Sequence, residues 1–76
     1  MYNVYKILPV RCYAGESLVA AESVEEANIY IDEFSARDRY NHEDSGGYCY
    51  VCEDDLIPNV FSKVKGIVDY GIYWRG

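Results

Sequence analysis

The sequence predicts an α+β fold: a mainly antiparallel sheet of three to four strands with one helix packed on one face, in the order β-β-α-β-short helical turn-β. Three observations predict it. Ser23-Val24-Glu25-Glu26 is a helix-start signature, and an apolar stripe follows it. The segments on either side are rich in Val, Ile, Leu and Tyr, as strands are, and turn-forming or acidic residues separate them. A lone amphipathic helix must also bury its stripe, and a sheet face is the surface such a chain offers. The whole of residues 1–76 is expected to form one small domain.

The first strand is predicted over Tyr2 to Tyr13, with Val4, Leu8 and Val10 on one face and Tyr5 and Ile7 on the other. Pro9 has no N–H to give a ladder and marks an edge or a bulge. Gly15 and Glu16 read as a two-residue hairpin loop, which would set Tyr13 opposite Leu18 and Cys12 opposite Val19. Ser17 to Glu22 is then the second strand. In the capping box that follows, the Ser23 hydroxyl accepts from the Glu26 amide and the Glu26 carboxylate reaches back to the Ser23 amide. The helix is predicted from Val24 to Ala36 or slightly further. Its stripe is Val24, Ala27, Ile31 and Phe34, with Tyr30 at the edge. Ile29 falls off the stripe and reads either as a lone exposed apolar residue or as a contact point.

Tyr40 to Gly47 is a loop by composition. Tyr48 to Glu53 is predicted as the third strand, ended by Glu53-Asp54-Asp55. Leu56, Val60, Phe61 and Val64 recur at helical spacing between Pro58 and Gly66, which predicts a short helical turn. Ile67 to Trp74 is the last strand. One helix covers one sheet face, so the opposite face would carry much of the tyrosine.

The charge pattern narrows the function. The chain has 13 acidic and 7 basic residues, a net charge of −6. That balance argues against wholesale binding to nucleic-acid phosphates, which takes clustered Lys and Arg. The acidic surplus lies in the helix and in Glu53–Asp55, whereas residues 59–76 are net positive. No run approaches the apolar length of a membrane span. The N-terminal residues also lack the basic-then-apolar pattern of a secretory signal, so a cytoplasmic location is expected.

Candidate chemistry is sparse. Cys49-Tyr50-Val51-Cys52 has C-x-x-C spacing, but in a strand positions three apart face opposite ways. A zinc site would also need Cys12 and His42. The three cysteines, an odd number, read as reduced thiols and small buried hydrophobes. His42 lies beside Glu43, Asp44 and Ser45, too close in sequence for a nucleophile–base–orienter line. Glu53-Asp54-Asp55 lacks the spacing of a calcium loop and reads as a solvated turn. Gly46-Gly47 precedes a strand and builds no phosphate cradle. No metal and no cofactor are predicted.

A hairpin followed by Ser-x-Glu-Glu-Ala, here Ser23 to Ala27, is similar to HicB-type antitoxins. In those a Gly-Gly-Tyr strand precedes the helix, whereas Gly46-Gly47-Tyr48 follows it here, so no role is carried over. The reading is a small non-enzymatic protein-interaction module: an adaptor, an antagonist of a basic surface, or a homodimerising domain. Its candidate interface is Tyr48, Tyr50, Tyr70, Tyr73 and Trp74, because Tyr and Trp dominate interface hot spots. Its partner is another protein or itself, with no membrane, and nucleic acid is disfavoured. Two alternatives stand. One is a Cys-based metal-binding or redox domain. The other is a weak single-strand nucleic-acid binder using Lys63, Lys65 and Arg75 among Tyr70, Tyr73 and Trp74.

Overall fold

The structure is a computed structural model that describes residues 1–8, 16–41 and 48–69. It shows an antiparallel four-stranded open sheet and one helix, an α+β fold. The strands are β1 (Tyr2–Ile7), β2 (Ser17–Ala21), β3 (Leu56–Ser62) and β4 (Gly66–Asp69), in the order β3-β1-β2-β4. Helix α1 spans Val24–Asn41 and a single 3-10 turn spans Glu53–Asp55. Among the described residues no helix is long and apolar enough to cross a membrane.

β1 and β2 form the centre of the sheet, paired from Asn3↔Ala21 through Tyr5↔Val19 to Ile7↔Ser17. This corrects the tight-hairpin register. Val19 faces Tyr5 and Leu18 faces Lys6, not Cys12 and Tyr13. β1 stops at Ile7, two residues before the proline that cannot donate to a ladder. Strand alternation puts Tyr5, Ile7, Val19 and Ala21 on one face, where they form the core with Ala27, Ile31 and Val51. Val4 and Ala20, a direct pair on the opposite face, are buried as well.

The helix starts where the capping signature places it. The Ser23 hydroxyl accepts from the Glu26 amide at 3.2 Å, and the Ser23 carbonyl accepts from Ala27 N–H at 3.0 Å. The Glu26 carboxylate reaches one residue further back than predicted, accepting from the Glu22 amide at 2.7 Å. Its second oxygen lies 3.8 Å from Lys65 Nζ. Lys65 also sits 5.6 Å from the centre of the Tyr2 ring. The nearby Tyr30 oxygen, then Glu26, then Tyr2 raise the Lys65 pKa. The predicted stripe faces inward: Ala27 and Ile31 are buried, and Val24 and Tyr30 pack on the same cluster. The helix continues to Asn41, so Tyr40 and Asn41 belong to it and not to the loop. No Gly or Pro interrupts the run before Gly46, which is why nothing stops the helix at Ala36.

The third strand and the short helical turn exchange places relative to the sequence reading. Residues 48–52 are not a strand, and the helical turn is the 3-10 turn at Glu53–Asp55. The strand is Leu56–Ser62, the segment predicted as helical. Pro58 and Asn59 explain the outcome. Asn59 has φ of 65°, outside the helical region, and the β1–β3 register shifts between Asn3↔Phe61 and Tyr5↔Leu56. β3 is thus an edge strand with a bulge, the setting in which a strand tolerates proline.

Residues 63–65 carry the chain from one sheet edge to the other, past the ends of β1 and β2. Ser62 lies opposite Tyr2, and Gly66 lies opposite Ala20. The Ser62 hydroxyl accepts from Val64 N–H at 3.1 Å and donates to its carbonyl at 2.8 Å. Gly66 has φ of 98°, which a side chain would resist, and so re-enters the sheet as β4. The predicted extension of this last strand to Trp74 lies outside the described residues.

Two isoleucines two positions apart separate core from surface. Ile31 is 1% exposed and Ile29 is 59% exposed. Ile31→Ala is expected to cost about 2–5 kcal/mol in urea denaturation, and Ile29→Ala to stay within about 0.5 kcal/mol.

Candidate interaction surface

The helix does not lie centrally on the sheet. It packs chiefly over β2 and β4. Residues 48–52 lead into the 3-10 turn, with Val51 in the core and Tyr48 packed against it. Asn28 holds this run in place. Its side-chain oxygen accepts from Val51 N–H at 2.8 Å, and its side-chain nitrogen donates to the Val51 carbonyl at 3.1 Å. An asparagine amide carries the same donor and acceptor as a peptide group, so Asn28 occupies the place of a neighbouring strand. One helical turn on, Asp32 Oδ1 accepts from the Tyr50 hydroxyl at 2.9 Å. On the other side of the run, Cys49 N–H donates to the Leu8 carbonyl at 2.8 Å.

These contacts settle where several candidates sit. Val51 is buried in the core. Tyr48 is half-buried, packs on the same cluster, and meets the Phe34 ring at 5.5 Å between centroids. Tyr50 is exposed on the helix side, bonded to Asp32. The tyrosines Tyr5, Tyr48 and Tyr50 thus lie on the helix side of the sheet, not on the face away from it. Tyr70, Tyr73 and Trp74 lie outside the described residues, as do Cys12, His42, Gly46, Gly47 and Arg75.

Cys49 and Cys52 are free thiols and both are exposed, which corrects their reading as buried hydrophobes. The run 48–52 makes a single bridge at Tyr48 and is otherwise not a strand, so strand alternation does not bury either thiol. Cys52 N–H donates to Asp55 Oδ2 at 2.8 Å, and Asp55 N–H donates to the Cys52 carbonyl at 3.0 Å, closing the 3-10 turn. Among the described residues no group of three or more His, Cys, Asp and Glu could hold a metal ion.

The surface that sequence reasoning missed is β3. Leu56, Val60 and Phe61 are exposed, Phe61 at 57%, and Val64 just beyond is 61% exposed. The registers put Leu56 and Phe61 on the helix side of the sheet, opposite Tyr5 and Asn3. They are open because the helix lies over the other half. The same four residues had formed the predicted helical stripe, so their spacing suggested burial. Pro58-Asn59 in their midst was the available signal for an edge strand.

Comparison with family models, with curated proteins and with solved structures gives no match.

Removing the Asn28 amide should release the run it holds. Asn28→Ala leaves the N–H and C=O of Val51 without that partner and is expected to lower stability by about 2 kcal/mol. Asp32→Ala, which loses one exposed hydrogen bond, should cost at most about 1 kcal/mol in the same denaturation experiment.

Proposed function

We propose that this chain is a small, non-enzymatic protein-interaction module of the cytoplasm that binds through the open flank of β3. The observation that carries the reading is the exposure of Leu56 and Phe61 on the helix side of β3, at an open sheet edge. A single apolar residue on a surface is ordinary, whereas large apolar side chains gathered on one open edge mark a contact site. Fully burying a Val, Leu or Phe side chain stabilises by about 1.5–3 kcal/mol each, so a partner covering this edge would gain enough for a transient complex. The bulge at Pro58-Asn59 and the missing proline N–H make side chains, not a continued backbone ladder, the means of contact. Tyr50, also exposed, lies on the helix side as a further aromatic contact.

A second reading draws on the exposure of Cys49 and Cys52: a thiol-based metal or redox site. Stoichiometric zinc uptake with protection of both thiols would favour it. The nucleic-acid reading gains nothing from β3, since Lys65 already faces Glu26.

A photoreactive phenylalanine analogue placed at position 61 tests the lead reading in cells. It is expected to give a discrete covalent adduct, with a second copy or with another protein. The same probe at Glu25, exposed on the helix, should give none. Absence of any adduct specific to position 61 contradicts the reading.

A further inference from the structure

We infer that the occupant of the β3 flank is a second copy of this chain, laid antiparallel across the first about a two-fold axis near Asn59. This rests on the interaction reading above and names its partner. The argument is one of charge at the two ends of an uncharged strip. Leu56 to Ser62 carries no charged residue. Immediately before it stand Glu53, Asp54 and Asp55, and immediately after it Lys63, whereas Lys65 is turned to Glu26. The strip is therefore acidic at one end and basic at the other.

A parallel arrangement of two copies would set acid against acid and base against base. The antiparallel arrangement sets Glu53 and Asp54 of each copy beside Lys63 of the other, at both ends, as a two-fold axis requires. Glu53, Asp54 and Lys63 are exposed and have no side-chain partner among the described residues. Between the ends, Leu56 and Phe61, exposed on the helix side of β3, would meet their counterparts in the other copy. A copy also meets the strip apart from the acidic residues in the first half of α1. Residues 23–36 of that helix region carry a net charge of −4 and pack over β2 and β4, away from β3. Like charge is thereby held from the seam, and screening shortens its reach to about 8 Å at physiological salt.

The test uses the purified chain alone. Sedimentation across a concentration series from about 1 to 500 µM should show a monomer–dimer equilibrium, the range expected of a small transient interface. Phe61→Glu should weaken dimerisation by about tenfold or more. This residue is exposed, and circular dichroism will confirm that the variant folds. Lys63→Glu should weaken dimerisation by several-fold, and the same substitution combined with Asp54→Lys should restore it. Independently of any variant, a zero-length carbodiimide crosslinker applied to an equal mixture of ¹⁵N-labelled and unlabelled wild type should join Asp54 or Asp55 to Lys63 in mixed-isotope peptides. The Glu26–Lys65 link should form only within one copy and serves as the internal control.

A chain that stays monomeric throughout overturns the inference. So does a dimer that is indifferent to Phe61→Glu and gives no mixed-isotope link between residues 53–55 and Lys63. A position-61 adduct to another protein, with the purified chain monomeric, overturns the self-pairing and leaves the interaction reading standing. No position-61 adduct at all removes both.

Discussion

An asparagine side chain has the donor and acceptor of a peptide group, and Asn28 spends both on Val51. The arrangement of the second half of the chain depends on that pair. A run of five residues between a helix and a sheet would otherwise bury the backbone groups of Val51 without partners, at about 1–3 kcal/mol for each. With the pair made, Val51 can enter the core, Tyr48 can lie against Phe34, and Cys49 can bond to the end of β1. The chain then reaches the 3-10 turn on the β1 side and can only continue as the outer neighbour of β1, which is where β3 lies.

The open flank follows from the same geometry. The helix packs over β2 and β4, Val51 joins Tyr5 and Ile7 of β1 in the core, and Leu56 and Phe61 of β3 stay exposed on that side. Leu56 and Phe61 are exposed for this reason, not because the sequence makes them polar or small. Pro58 and the positive φ of Asn59 keep the edge from acting as a flat template for indiscriminate strand addition, one of the devices by which edge strands avoid aggregation. What remains is an edge strand with Leu56 and Phe61 exposed on the helix side, Glu53 and Asp54 exposed before it and Lys63 exposed after it.

The legible parts of the fold were those set by local chemistry. The helix start at Ser23, the stripe through Ile31, the strands beginning at Tyr2 and Ser17, and the α+β class all follow from caps and periodicity. The errors arose where tertiary partners decide. Tyr48 to Cys52 has strand propensity, yet the partner that satisfies its backbone is a side chain 23 residues away, which no local pattern reveals. Leu56, Val60, Phe61 and Val64 fit a helical spacing by coincidence, and the proline and asparagine between them outweighed it. The exposure of Leu56 and Phe61 was hidden with them: part of a stripe that looked inward is left open. Exposure of Cys49 and Cys52 was hidden for the same reason, since strand alternation was applied to residues that form no strand.

The central claim is that Asn28 ties Val51 into the core and thereby leaves β3 as an open edge. Residue-resolved hydrogen exchange on the wild-type chain at low concentration tests it most directly. The account predicts that the Val51 amide exchanges as slowly as amides of the central strands β1 and β2, while amides along β3 that do not face β1 exchange quickly. A Val51 amide as fast as that of exposed Glu53 or Asp54, or uniform slow exchange through Leu56–Ser62 in the dilute protein, would contradict it.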